Sequence, residues 1–83
     1  MSSSASDGAV VEIEYCVPCG FLNRAVDVQR ALLTNFGERL DRVALVTGDH
    51  GVFRVSVDGE AVFDVADDEF DVDAIARLVR ERL

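Results

Sequence analysis

The stretch Val10-Val11-Glu12-Ile13-Glu14-Tyr15-Cys16-Val17-Pro18-Cys19-Gly20-Phe21 decides the fold, because the hydrophobic period changes within it. Val11, Ile13 and Tyr15 alternate with Glu12 and Glu14, which is the pattern of a half-buried strand over Val10 to Tyr15. From Pro18 to Phe36 the spacing turns helical. Asn23, Asp27, Arg30 and Thr34 form a polar stripe, and Leu22, Ala25, Val26, Leu33 and Phe36 fall opposite it. Gly37 is placed to end this helix as a left-handed cap residue.

Further along the chain, Val43-Ala44-Leu45-Val46 is a short continuous apolar run that suits a buried strand. Gly48-Asp49-His50-Gly51 reads as a turn. Val52 to Val57 and Glu60 to Val65 alternate on either side of Asp58-Gly59, a strong hairpin signal. Asp71 is placed to cap a last helix whose apolar stripe is Val72, Ile75, Ala76, Val79 and Leu83, with Phe70 stapled against Ile75. The order β-α-β-β-β-α predicts an α/β two-layer sandwich with a four-stranded mixed sheet in the order 2-1-3-4. The first two strands should be parallel, the hairpin antiparallel, and both helices on one face.

Length allows one domain: the chain has 83 residues. The serine-rich residues 1–8 read as a disordered leader without the basic and apolar regions of a secretory signal, leaving 9–83 as the folded unit. No apolar run reaches the roughly 18 residues of a membrane span, so neither a membrane nor export is expected, and the cytoplasm is the expected location. Sixteen acidic residues against eight basic ones give a formal charge of −8, which argues against nucleic acid as a partner. All eight basic residues are arginine. Such an acidic, lysine-free composition is expected of a halophilic protein in a salt-loaded cytoplasm, where dense screening tolerates like charge; a GC-rich genome is the plainer source.

The two cysteines of the chain form Cys16-Val17-Pro18-Cys19. A structural zinc site needs four ligands, and only His50 could join the pair, so no metal is expected. Inert core cysteines fit poorly with a proline between them at a strand-to-helix turn. A redox dithiol remains, the usual reading of CxxC beside a βαβ unit. Proline suits a first helical turn, which places Cys16 just before the helix and Cys19 inside its first turn. The helix dipole there should favour thiolate, with Glu14 and the net charge opposing it. On this reading Cys16 attacks and Cys19, shielded by Phe21 and Leu22, resolves. No further cofactor is implied.

The strand–CxxC–helix start, the stretch Thr47-Gly48-Asp49-His50-Gly51-Val52-Phe53-Arg54-Val55, the Asp58-Gly59 hairpin followed by Val62-Phe63, and the C-terminal helix together resemble the selenoprotein W-like, or Rdx, family. The resemblance runs from about Val10 to Leu83 and implies a thioredoxin-like fold and a redox role. It departs from the common pattern in Val17-Pro18 and in lacking the usual helix lysines. Animal members carry selenocysteine at the position of Cys19, which implies that the second position is the reactive one, the reverse of the order inferred from helix geometry. Two function classes follow: a thiol–disulfide redox protein acting on protein or small-molecule thiols, or a non-enzymatic adaptor whose cysteine pair is a redox switch or a site of glutathionylation. The resemblance gives Pro18 and His50 auxiliary interest, since the loop before the third strand lies beside the CxxC in thioredoxin-like folds. An exposed turn residue is the simpler role for His50, and Asp67-Asp68-Glu69 reads as a solvated acidic loop rather than a cation site.

Overall fold

The computed structural model describes residues 8–83, so all of the expected leader except Gly8 lies outside the described residues. The elements are β1 (Ala9–Cys16), α1 (Leu22–Phe36), a 3-10 turn (Gly37–Arg39), β2 (Leu40–Gly48), β3 (Phe53–Val57), β4 (Glu60–Asp64) and α2 (Val72–Arg80). The sheet order is β2-β1-β3-β4, with β1 parallel to β2 and antiparallel to β3. The α/β sandwich and its strand order are therefore as expected.

Register explains the layering. Val11, Ile13 and Tyr15 lie opposite Val57, Val55 and Phe53 on β3, and opposite Val43, Leu45 and Thr47 on β2. Because side chains alternate across a strand, these residues share one face. Val11, Ile13, Phe53 and Val55 are completely buried there, beneath Ala25, Val28 and Leu32 of α1 and Ile75 and Val79 of α2. The two helices pack on each other over this face. The opposite face carries Glu14, Arg54 and Asp64, and Arg54 bridges both carboxylates across three strands.

Turn chemistry fixes the connections. Asp58 and Gly59 take φ of 51° and 86°, the two left-handed residues of a type I′ hairpin turn. The Asp58 carboxylate also accepts the Val10 N–H at 2.9 Å, tying the hairpin to the start of β1. Asp71 caps α2 by accepting from the N–H groups of Asp73 and Ala74, as predicted. Phe70 packs edge-on against Phe53, with ring centroids 5.3 Å apart.

Four expectations are corrected. The first helix begins at Leu22, not Pro18. Gly20 has φ of 76°, outside the right-handed helix, and its N–H bonds to the Val17 carbonyl to close a β-turn. Pro18 therefore serves as the second residue of a turn, a position its fixed φ suits equally well. Gly37 has φ of −50° and continues into the 3-10 turn rather than capping in the left-handed region. The buried stripe of α1 is Ala25, Val28 and Leu32, while Leu22 and Leu33 remain about half exposed. The apolar run of β2 is buried only at Val43, because an edge strand has one strand neighbour and one covered face; Val46 is 38% exposed.

The Asp71 cap gives a direct stability test. Asp71→Ala leaves two helix N–H groups without their acceptor and should cost about 1 kcal/mol. For a domain of this size that lowers the melting temperature by roughly 4–8 °C, readable by thermal circular dichroism.

Candidate functional site: the Cys16–Cys19 turn

The central strand delivers Cys16. Its N–H donates to the Val52 carbonyl at 2.8 Å, and the next N–H, that of Val17, donates to the Gly48 carbonyl at 3.1 Å. One bond holds the chain to the entry of β3 and the other to the exit of β2. Cys16 is fully buried although it follows the buried Tyr15, so the alternation of β1 ends at this residue. Gly48 faces Cys16 in the register, and a Cβ there would lie 2.8 Å from Val52 Cγ1 and 3.0 Å from a Glu14 carboxylate oxygen. A side chain there would make Val52 and Glu14 shift, so glycine suits their close approach at this end of the sheet.

Beyond Cys16 the chain turns sharply. Val17, Pro18, Cys19 and Gly20 form the turn, and among the described non-glycine residues only His50 and Asp58 have positive φ. Cys19 thus sits at the third position of a type I turn, with proline second and glycine fourth, where each is favoured. The Cys16 and Cys19 sulfurs are bonded at 2.07 Å, across a Cα–Cα distance of 5.3 Å. That separation lies within the usual disulfide range.

The two cysteines differ in exposure in the opposite sense to that expected. Cys16 is 0% exposed, whereas Cys19, with Val17, Pro18 and Gly20, lies on the surface. Phe21 and Leu22 do not shield Cys19. Phe21 turns inward and meets Phe53 edge-on at 6.2 Å, and Leu22 is 49% exposed. The helix starts three residues after Cys19, so Cys19 lies outside its first turn, where the dipole acts most strongly. Phe21 occupies the cap position, and no side chain caps the helix.

The loop of residues 49–52 adjoins the turn through the two backbone bonds to Gly48 and Val52. His50 takes φ of 59°, and its Nδ1 lies 2.6 Å from the Asp49 carboxylate. Its side chain is 91% exposed, which suits the simpler turn role. Arg24 stacks over the Phe21 and Phe70 rings at 5.0 and 5.1 Å, joining the turn to the loop that precedes α2. No cluster of metal-ligating residues is present among the described residues. The constraints that sequence reading missed are Gly48, the Val52 carbonyl and the Glu14–Arg54–Asp64 row. Gly48 was visible as a glycine beside the turn, but its steric role depends on a strand 32 residues from Cys16.

A small α/β sandwich with a closed CxxC at the exit of its central strand has a thioredoxin-like fold. The sequence model of the Rdx family matches residues 10–81, and the chain belongs to that family. A solved structure of a Bordetella parapertussis protein is similar at 35% identity, covering 92% of this chain and 99% of the other, with a TM-score of 0.85. A selenoprotein W-related protein from Vibrio cholerae is similar at 25% identity, covering 89% and 95%, with a TM-score of 0.82. No curated protein matches. Among the described residues, no helix is long and apolar enough to cross a membrane.

Asp64 reports on the charged row below the site. The Ala66 N–H, and then the Arg54 guanidinium, hold its carboxyl below the ordinary carboxylate range against the opposing effect of burial. A depressed folded value means that the contribution is present above the unfolded value of about 3.9 and lost as pH falls below it. Asp64→Asn should therefore lower stability near neutrality and narrow the difference between neutral pH and pH 3. Denaturant midpoints of both proteins across that range check this.

Proposed function

We propose that the chain is a thiol–disulfide exchange protein in which Cys19 meets the partner and Cys16 resolves. The observation that carries this reading is the closed Cys16–Cys19 pair with one sulfur buried and the other on the surface. Exchange needs in-line access to a sulfur as well as a thiolate, and only the Cys19 end is open. In the reduced protein, the Cys19 thiolate attacks one sulfur of a partner disulfide, and the partner's other sulfur leaves as thiolate and takes a proton. The Cys16 thiol then loses its proton and attacks the Cys19 sulfur, releasing the second partner thiol. Two electrons pass to the partner, and the Cys16–Cys19 disulfide reforms. Pro18 favours the turn that brings the sulfurs together. Placement of His50 beside Asp49 on an exposed loop supports no direct step.

Iodoacetamide labelling of the reduced protein, read by peptide mass, should modify Cys19 well before Cys16. Cys16→Ser should hold mixed disulfides on Cys19 that dithiothreitol releases. Faster labelling of Cys16 would reverse the roles. Failure of the native pair to cycle with dithiothreitol would leave the adaptor reading instead.

The lysine-free composition and charge of −8 support a salt-loaded cytoplasmic setting. Screening shortens the reach of carboxylate repulsion from about 30 Å at 0.01 M salt to about 3 Å at 1 M. The unfolding midpoint should therefore rise with potassium chloride over that range, and an unchanged midpoint refutes the salt-loaded setting.

A further inference from the structure

We propose, resting on the exchange function above, that the acidic surroundings of Cys19 favour disulfides carried on cationic protein segments, through charges in contact at molar salt and more strongly as screening weakens. The topology gathers charge at one pole. β1 and β2 end together at Cys16 and Gly48, β3 begins opposite Tyr15, and β4 ends opposite Arg54. Both helices begin at this same end, at Leu22 and Val72, and the Arg24 contacts with Phe21 and Phe70 bind the loop before α2 to the cysteine turn.

Residues 14–24, 47–54 and 64–73 build this pole. They carry eight carboxylates against two arginines, Arg24 and Arg54, with His50 the one further titratable cation. Arg54 is already held between Glu14 and Asp64. The other described residues carry seven carboxylates against six arginines, which is close to balance. Among the described residues, nearly all of the excess negative charge therefore lies at the end of the sheet that carries the reactive turn. Asp67, Asp68 and Glu69 are exposed, so they act through their field on an approaching group.

The turn also presents apolar surface. Val17 and Leu22, on either side of Cys19, are 51% and 49% exposed. A segment with a cysteine flanked by lysine or arginine meets both features, its aliphatic stems lying on Val17 and Leu22 and its charges on the acidic rim. An anionic thiol such as glutathione is repelled. Fields of this kind change local concentrations and encounter rates by about 10- to 1,000-fold when weakly screened.

Three short peptide homodisulfides, identical except for lysine, glutamine or glutamate on both sides of the cysteine, test this. Their rates with the reduced protein are normalised to their rates with uncharged dithiothreitol, under salt where circular dichroism shows the protein folded. At about 0.1 M salt the lysine peptide should react about fivefold or more faster than the glutamate peptide, with glutamine between. At about 1 M only charges in contact still act, and the ratio should fall toward about twofold. The variant Asp67→Asn/Asp68→Asn/Glu69→Gln should compress the ratio at 0.1 M while leaving the glutamine peptide's rate unchanged. Equal rates for the three peptides, or a ratio the variant does not alter, overturn the proposal. No reaction with the glutamine peptide would instead overturn the exchange function itself.

Discussion

The site depends on the central position of β1. A strand bonded on both edges and buried on one face has almost no freedom, and this one runs directly into Cys16. Two further hydrogen bonds, to Val52 and Gly48, hold the chain as it leaves the sheet. The buried half of the dithiol is thus part of the sheet, whereas the other half belongs to a four-residue surface turn. That division leaves two chemically identical residues in different surroundings, one sulfur fixed and buried and the other at the surface. It uses no special residue at the site beyond a proline and two glycines.

Phe53 joins this pole to the rest of the core. Its fully buried ring meets Phe21 after the turn, Phe63 on β4 and Phe70 before α2, all edge-on. Aromatic edges carry partial positive charge and faces partial negative, so such contacts add directional preference to hydrophobic burial. Arg24 closes the arrangement by covering Phe21 and Phe70. The cluster explains why Phe21 turns inward and leaves Cys19 uncovered. Packing below the turn thereby sets access to the sulfur above it.

Charge is distributed as unevenly as access. Total charge is a property of composition, but its effect on a reaction depends on distance from the reacting atom. Here the strand and helix directions bring the acidic loops to the cysteine end, while most arginines lie toward the helix C-termini or on the far part of the sheet. A cation near a helix C-terminus also offsets the dipole, as Arg77 and Arg80 do in α2. Local helix stability and the field at the site thus favour the same placement.

Local chemistry made much of this legible without a structure. Alternation gave three strands and a continuous apolar run the fourth, Asp58-Gly59 gave the hairpin, Asp71 gave the helix cap, and CxxC at a strand end gave the site, because each signal acts over a few bonds or one turn. What the chain could not reveal locally depended on neighbours distant in sequence. Pro18 fits a first helical turn and a β-turn alike, and the choice rested on Gly20 and on the Phe21–Phe53 contact. Leu22 and Val28 are both apolar residues of α1, yet only Val28 faces the sheet. The apolar run of β2 could not disclose that it would lie at an edge. Which cysteine is open was decided in the same way: Cys16 is buried at the end of β1, opposite Gly48 and hydrogen-bonded to Val52, and burial is a sum over neighbours that no local pattern contains.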